Sequence, residues 1–237
     1  MNIHKIKQNA QGYPRRLREI ASPPQQLYSV GNHALLDMPD RQYVAIIGTR
    51  NPSIYGDEVT YKLASELAAA GAIIVSGLAL GTDAKAHQAV VEQGLPCIAV
   101  QARGMDQIYP AENRELAKKI LEYGGVIVSE YPAGTEAFKQ NFVARNRIVS
   151  GMSEAVLVTE AALKSGTSHT VSFARDENKL VLAVPGNITS PRSAGTNNLI
   201  KTGATLVTNA SDVLAAMGYE SGILQKPVTA DSKEEGI

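Results

Sequence analysis

The stretch Val44-Ala45-Ile46-Ile47-Gly48-Thr49-Arg50 decides the fold, because a short apolar run passes directly into a polar loop that contains glycine. A segment with helical periodicity follows, and Gly71 ends it just before a second apolar run, Ala72-Ile73-Ile74-Val75. Runs that are apolar and β-branched at nearly every position are typical of strands buried on both faces of a sheet. The sequence predicts six such strands, over 44–47, 72–75, 97–100, 126–128, 155–158 and 180–184.

Segments with helical periodicity separate these strands. The first, 57–70, places Val59, Leu63 and Leu67 on one face. Alternation of strands and helices indicates a doubly wound α/β fold with a mainly parallel sheet and helices on both faces. In such sheets ligands bind at the carboxyl ends of the strands, near the point where the strand order reverses. Further helices are predicted over 82–93, 113–123, 142–152 and 167–176.

The two ends of the chain lack this alternation. Residues 1–40 contain four prolines and no repeated strand and helix, so we expect an N-terminal appendage packed on the core. The core is predicted to span 41–217. Residues 218–237 are polar and are predicted to form a flexible tail.

Composition excludes several classes of protein. No run approaches the roughly 20 apolar residues of a membrane span, and the first residues form no hydrophobic block, so a cytoplasmic protein is expected. The single cysteine, Cys97, lies in an apolar run and is predicted to be a buried thiol. The 23 basic and 23 acidic residues balance, which argues against a broad electrostatic coat for nucleic acid but allows a local basic groove.

The loop after the first predicted strand has the chemistry of an anion site. Gly48 allows close approach of a ligand to the backbone, and the following helix start offers unpaired N–H groups. Arg50 adds a planar guanidinium that suits phosphate, while Ser53, Asn51 or Asp57 could cap the helix. The spacing matches neither dinucleotide-binding nor Walker-type loops. An ordinary turn with a surface arginine remains the alternative.

Two later loops repeat the combination of glycine and helix start. In the loop 76–83, Asp83 stands four residues before His87, which favours a structural pair over a metal site because no third ligand is evident. In the loop 160–169, Lys164 precedes Ser165-Gly166-Thr167 and forms another candidate anion cradle. No metal or cofactor site is predicted.

The segment 137–153 contains three cations and two aromatic residues but no acid. Cations for a phosphate chain and aromatic faces for bases are typical of sites for single-stranded nucleic acid. The pattern fits equally a core Phe142 with solvated cations. Since the stretch 185–210 is also free of acids, a chain of neutral net charge can still be positive along one edge of its sheet.

Many short motifs, in order along most of the chain, resemble the DNA-processing protein A family (DprA, also called Smf). They include Gly48-Thr49-Arg50, Ser76-Gly77-Leu78-Ala79, Tyr109-Pro110, Arg145-Asn146-Arg147 and Ala183-Val184-Pro185-Gly186. His169 departs from the family pattern. The chain resembles a minimal form without the N-terminal helical and C-terminal winged-helix domains of many relatives.

The resemblance implies an extended Rossmann-like fold and a homodimer that binds single-stranded DNA. It also implies that the protein protects incoming DNA and helps load RecA recombinase in natural transformation, with no catalytic residues and no cofactor. Arg50 and Lys139 would hold phosphates and Phe142 would stack on a base. The DNA-binding residues predicted in this way are Arg50, Asn51, Ser53, Gly77, Lys139, Phe142, Arg145, Asn146, Arg147, Lys164, Ser165, Gly166 and Thr167.

Two other functions fit the same scaffold. One is a nucleotide phosphoribohydrolase, whose hallmark Pro-Gly-Gly-x-Gly-Thr differs from Pro185-Gly186-Asn187-Ile188-Thr189 here. Glu130 and Glu160 lie at strand ends where an acid or base could act. We predict instead that they brace loops. The other is a sensor of a small nucleotide.

Overall fold

The structure, a computed structural model, describes residues 2–219, and nine strands form one sheet in it. Most of the predicted tail, residues 220–237, lies outside the described residues. In chain order the strands are His4–Lys7 (β1), Gln26–Gly31 (β2), Tyr43–Ile47 (β3), Ile73–Ser76 (β4), Ile98–Val100 (β5), Val126–Ser129 (β6), Ala155–Val158 (β7), Leu180–Ala183 (β8) and Thr205–Leu206 (β9).

Eight α-helices accompany the strands in the described part of the chain. No helix within residues 2–219 is long and apolar enough to cross a membrane. Two short 3₁₀ helices, His33–Leu36 and Ala111–Asn113, also occur. The α-helices are Arg15–Arg18 (α1), Ile54–Ala69 (α2), Thr82–Val91 (α3), Arg114–Glu122 (α4), Lys139–Gly151 (α5), Thr167–Asp176 (α6), Ala194–Lys201 (α7) and Ala210–Ala216 (α8).

The sheet confirms the predicted fold class. Its strand order is β1-β2-β6-β5-β4-β3-β7-β8-β9, and every pair from β6 to β9 is parallel. The chain winds from β3 to one side through β4, β5 and β6, and then returns to the other side of β3 at β7. The strand order therefore reverses between β3 and β7, which is where a doubly wound sheet opens a crevice at its carboxyl edge.

Helices cover both faces of the sheet because the strands are apolar on both. Along β3, Val44 and Ile46 face a core that includes Leu63 and Leu67 of α2. Ala45 and Ile47 face the other core, with α5 and α6 packed on it. All five residues of β3 are buried, and a continuous apolar run is what such a strand requires.

The N-terminal segment extends the same sheet. β1 pairs antiparallel with β2, and β2 pairs antiparallel with β6. Tyr13 and Leu17 belong to the core that α5 and α6 cover. These contacts show an intimate packing on the core, while the division of the chain into appendage, core and tail stays a prediction.

Local signals set the helix ends. Ser53 caps α2, its hydroxyl oxygen accepting a hydrogen bond from the Gly56 N–H at 3.1 Å, so it takes the role for which three candidates were open. Gly71, after α2, has a φ of 96°, a left-handed conformation that glycine adopts without strain. Helix α5 begins at Lys139, three residues before the predicted start, with Phe138 at its N-cap.

Candidate functional site

A cavity of about 670 Å³ opens at the carboxyl edge of the sheet, beside the reversal in strand order. Four segments contribute to it: the loops after β3 and β4, helix α5, and the loop and first turn of α6. Its lining residues are Ile47, Gly48, Thr49, Arg50, Gly77, Ala79, Asp83, Ala137, Lys139, Phe142, Val143, Arg145, Asn146, Val149, Ser165, Gly166, Thr167, His169 and Thr170.

The backbone of the loop after β3 is fixed by three neighbours. The Thr49 N–H donates to the carbonyl of Glu160 at 2.8 Å, and the Thr82 N–H donates to the carbonyl of Thr49 at 3.1 Å. The Thr167 hydroxyl donates to the carbonyl of Gly48 at 3.1 Å. A Cβ at Gly48 would lie 2.8 Å from the Glu160 carbonyl oxygen, so this close packing requires glycine. The loop therefore holds the backbone of the next residue, Arg50, in place.

Glu160 braces the same loop from the end of β7. Its side chain is buried and accepts hydrogen bonds from the Ser53 N–H at 2.8 Å and the Ser53 hydroxyl at 2.6 Å. Because the Ser53 hydroxyl also caps α2, both of its hydrogen-bonding roles are filled within the protein. This arrangement confirms the reading of Glu160 as a bracing residue.

Exposed cations and an aromatic ring form the rim of the cavity, which we define as Arg50, Lys139 and Phe142. The guanidinium carbon of Arg50 lies 5.1 Å from the centroid of the Phe142 ring, within the range of a cation–π contact. Phe142 is only half-buried and belongs to neither hydrophobic core. Within residues 2–219, neither Arg50 nor Lys139 forms an ion pair with a carboxylate. The rim therefore offers unpaired positive charge beside an accessible ring.

Buried polar groups form the floor of the cavity, which we define as Gly77, Asp83 and Arg145. Arg145 is only 4% exposed, and its Nη1 donates to the carbonyls of Gly77 and Val100. A Cβ at Gly77 would collide with that guanidinium, so a larger residue there would displace the Arg145 side chain. The Asp83 carboxylate accepts from the Ala79 N–H at 3.4 Å. The floor is thus a cross-link between β4, β5 and α5.

Burial determines the electrostatics of the floor. It raises the pKa of the Asp83 carboxyl, and the nearby charges of Arg145 and Arg50 act against that rise. It also lowers the pKa of the Arg145 guanidinium, which the charge of Asp83 opposes. Each group therefore stabilises the charged form of the other in an environment that penalises both.

The structure brings most of the predicted DNA-binding residues to this cavity. Asn146, Ser165, Gly166 and Thr167 line it together with the rim and floor residues. Four predicted residues lie outside the lining: Asn51, Ser53, Arg147 and Lys164. Whether any of these residues binds DNA stays a prediction.

Three of those four have distinct surroundings. The Arg147 guanidinium donates to the Glu130 carboxylate at 2.6 Å and is largely buried, so Glu130 supports helix α5. The Asn51 carbonyl accepts from the Arg192 Nε at 3.1 Å. Lys164 is exposed, two residues before Gly166, the N-cap of α6.

Some residues at the cavity were not predicted. Tyr109, beside the cavity lining, contacts Phe142, with 5.6 Å between the ring centroids, although it was predicted only as part of a family motif. His169 lines the cavity one turn into α6, next to Thr170. An aromatic residue beside a proline carries no local sign of exposure, so only the packing of its loop could identify Tyr109.

Asp83 and His87, predicted to form a structural pair, have separate partners in the structure: Asp83 accepts from the Ala79 N–H, and His87 contacts Cys97. His87 is fully buried, and its Nδ1 lies 3.3 Å from the Cys97 sulfur, which confirms the buried thiol. Burial lowers the pKa of His87 to about 3 and raises that of the Cys97 thiol. Within residues 2–219, no group of three or more His, Cys, Asp or Glu side chains is placed to hold a metal ion.

Comparison with known proteins gives the family. The family model for DNA recombination-mediator protein A matches residues 4–218 of the chain. The chain belongs to this family. The family resemblance read from the motifs is thereby confirmed.

Curated members of the family match most of this chain but only about half of their own length. The chain is 42% identical to Protein Smf of Synechocystis sp. over 210 residues, which cover 87% of this chain and 52% of that protein. It is 39% identical to Protein Smf of Escherichia coli over 219 residues, 92% of this chain and 58% of that protein. The chain therefore spans about half the length of these curated relatives.

Two solved structures of DNA processing protein A share the fold. The protein from Streptococcus pneumoniae superposes with a TM-score of 0.84 at 37% identity, over 91% of this chain and 74% of that one. The protein from Helicobacter pylori, whose structure concerns a unique single-stranded DNA binding mode, gives 0.81 at 34% identity, over 92% and 96% of the two chains. These matches confirm the extended Rossmann-like fold.

A more distant structure shows how widely this fold is used. The molybdenum cofactor binding protein of Rippkaea orientalis gives a TM-score of 0.53 at 14% identity, over 76% of this chain and 98% of that one. At that identity the likeness concerns the fold alone.

Proposed function

We propose that this chain binds single-stranded DNA, without sequence preference, in the cavity between the loop after β3 and helix α5. One observation carries the proposal: the rim combines unpaired cations with an accessible aromatic ring. Arg50 stands over Phe142 at 5.1 Å, and Lys139 begins α5 beside them. Cations that follow a phosphate chain and rings that stack on its bases are the two requirements of such sites.

The roles of the rim residues follow from their chemistry. Arg50 and Lys139 contact phosphates, which positions the strand without reading its sequence. Phe142 stacks on a base, and every base offers a π-face, so this contact is tolerant of sequence as well. The bracing of the loop by Glu160 keeps the cation preorganised, which lowers the cost of ordering it on binding.

Arg145 and Gly77 have a different role from the rim in this proposal. Arg145 uses its guanidinium to join the carbonyls of Gly77 and Val100, so it shapes the cavity. Gly77 provides the space for that guanidinium. Arg147, paired with Glu130, supports α5 from outside the lining. We propose that these residues support the site. Direct contact with the DNA strand is assigned to Ser165, Gly166 and Thr167.

In the cell, we propose that the protein acts in the cytoplasm as a homodimer without catalytic activity. It protects incoming single strands and helps load RecA recombinase during natural transformation. Membership of a family of recombination mediators supports this role. Light scattering of the purified chain tests the dimer, and a RecA strand-exchange assay on DNA coated with a single-strand-binding protein tests the loading.

A fluorescence-anisotropy titration tests the binding itself. Oligo-dT of about 20 nucleotides is expected to bind in the micromolar range or tighter, and more weakly as salt rises, because phosphate contacts release counterions. A duplex of the same length serves as the control. Equal binding of both forms, or binding of neither, would contradict the proposal.

An enzyme assay separates the alternative function. A nucleotide phosphoribohydrolase would release free base from AMP, and such release by this chain would argue for that reading. The two carboxylates considered for such chemistry, Glu130 and Glu160, are engaged with Arg147 and Ser53 and do not line the cavity. We therefore expect no release.

A further inference from the structure

Tyr109 is a partly exposed aromatic residue that packs against Phe142. It is 44% exposed and belongs to neither hydrophobic core. Within residues 2–219, its hydroxyl has no hydrogen-bond partner. A buried tyrosine hydroxyl usually has one. Its contact is with Phe142, whose ring it meets at a tilt of 58°. The ring of Tyr109 thus continues the aromatic surface of the rim toward solvent.

The loop that carries Tyr109 is fixed on both sides. Before it, the buried Gln101 amide donates to the carbonyls of Gly104 at 3.1 Å and Gln107 at 3.3 Å. After it, the buried Asn113 amide donates to the carbonyl of Leu78 at 2.8 Å, next to the cavity-lining Ala79. The ring is therefore exposed on an ordered backbone, an arrangement that lowers the entropy lost when a ligand stacks on it.

The distance between the two rings defines how bases can use them. Successive stacked bases are about 3.4 Å apart, so a base held between two parallel rings needs about 6.8 Å between their planes. The centroids of Tyr109 and Phe142 are only 5.6 Å apart, and the rings are tilted. They cannot sandwich one base as they stand. They can offer two separate surfaces, one after the other along a strand.

We propose that Tyr109 is a second base-stacking residue, which takes an unpaired nucleobase adjacent to the one on Phe142 and leads the strand out of the cavity along the loop 101–110. This inference rests on the proposed function. Position favours a nucleobase as the occupant, because Tyr109 adjoins Phe142, which in turn lies under the unpaired cation of Arg50. A strand that places phosphates on Arg50 and a base on Phe142 reaches Tyr109 with its next base.

Substitutions of Tyr109 test the inference with two probes. One probe is oligo-dT of about 20 nucleotides, and the other is an abasic strand of equal length, which keeps the phosphates and lacks the bases. Tyr109→Ala is expected to weaken binding of oligo-dT on the order of tenfold, within the range of one lost stacking contact. Binding of the abasic strand and the salt dependence should stay unchanged, because no charge is removed.

Two further variants and a control make the result specific. Tyr109→Phe keeps the ring and should bind oligo-dT as the wild type does, while Tyr109→Leu keeps bulk without an aromatic face and should behave like Tyr109→Ala. Tyr123→Ala is the matched control, since Tyr123 is 37% exposed and follows α4 just before β6, at the opposite edge of the sheet. It should leave binding unchanged. Urea denaturation midpoints identify any variant that is destabilised.

The outcomes separate the inference from the function on which it rests. If wild type fails to bind oligo-dT, the proposed function is wrong. If wild type binds, and Arg50→Ala weakens binding while Tyr109→Ala and Tyr109→Leu do not, only the role of Tyr109 is overturned. Tighter binding by Tyr109→Ala would also overturn it, because the ring would then cover Phe142 in the free protein. Equal losses on dT and abasic strands would contradict stacking.

Discussion

The rim and the floor of the cavity use similar residues for opposite purposes. Arg50 of the rim is exposed, unpaired and free to meet a ligand, whereas Arg145 of the floor is 4% exposed and holds two backbone carbonyls. Lys139 and Arg145 even lie on the same helix, six residues apart. Lys139 is exposed and Arg145 is buried because the two residues occupy different faces of α5. A positive charge near a ligand site is therefore no evidence by itself of contact with the ligand.

The buried stripe of α5 explains this division. Asn141, Arg145 and Ile148 recur at the spacing of one helix face, and all three are buried. Phe142 and Asn146, which line the cavity, are offset from that stripe by one position. An arginine at the centre of a buried stripe must find acceptors, and the carbonyls of Gly77 and Val100 supply them.

The largest effect that distinguishes the two regions is expected for Arg145→Ala. The change leaves the Gly77 and Val100 carbonyls without their donor and the buried Asp83 without a compensating charge. We expect a loss of about 3–5 kcal/mol in the free energy of unfolding, the range for breaking a buried charged network. Urea denaturation followed by circular dichroism measures this loss.

Lys139→Ala is the matched control, because it removes a cation from the exposed part of the same helix. Its unfolding free energy should stay within about 0.5 kcal/mol of the wild type, as for most surface substitutions. Should Arg145→Ala prove as stable as wild type and yet bind DNA poorly, Arg145 would belong with the rim.

The second prediction concerns His87, which is fully buried and follows the floor residue Asp83 by four positions on α3. Burial lowers its folded-state pKa from 6.5 to about 3, so the unfolded chain takes up the proton first as the pH falls. The contribution of neutral His87 to the free energy of unfolding is present above pH 6.5 and is lost as the pH falls toward 3. At pH 5 the loss amounts to about 2 kcal/mol, from a difference of about 1.5 pKa units.

The pH effect of His87 is isolated by comparison with His87→Gln. The raised pKa of Asp83 acts in the opposite direction, because protonation of that carboxyl favours the folded state. Both proteins carry Asp83, so the difference between their unfolding free energies removes its contribution. The wild type should lose about 2 kcal/mol relative to the variant between pH 7 and pH 5. Parallel pH profiles would show that His87 is not held neutral.

The sequence predicted the parallel part of the fold well and its margins poorly. Six predicted strands occur within one residue of their predicted bounds, because strands buried on both faces carry a continuous apolar run. β1, with only Ile6 buried, and β9, with two exposed residues, carry no such run. Their pairing depends on neighbours distant in the chain, which a local pattern does not contain.

The same limit applies to the site. Glycine-rich loops at the ends of parallel strands predicted where the cavity lies, since that follows from topology. The acid-free segment 137–153 did not reveal that Arg145 and Arg147 have structural partners, since the Gly77 carbonyl and Glu130 lie far from them in the chain. Exposure, and not composition, separates the rim from these residues.

The third prediction is that Arg50→Ala weakens binding of single-stranded DNA about tenfold, or about 1.4 kcal/mol, equally for all sequences. The slope of log K against log salt should fall by about 0.7, the value for one lost phosphate contact on a single strand. The unfolding free energy should change by no more than about 1 kcal/mol, from the contact with Phe142.

Arg175→Ala is the control for Arg50→Ala. Arg175 is an exposed arginine near the other end of α6 from the cavity, so its loss lowers the net charge equally. It should leave the affinity nearly unchanged at about 0.15 M salt, where charges more than about 8 Å from the strand are largely screened. A loss of affinity that depends on sequence in Arg50→Ala would contradict the phosphate role.

The smallest effect is expected for Lys164→Ala, and it tests whether position or charge defines the rim. Lys164 carries the same charge as Lys139 and is exposed, but it lies outside the cavity lining. If contact with the strand in the cavity determines affinity, its loss should cost about twofold in Kd, the scale of a screened surface charge. Titration at two salt concentrations measures both the affinity and its slope. A loss equal to that of Arg50→Ala would mean that the strand leaves the cavity across the loop before α6, so that the rim would extend to Lys164.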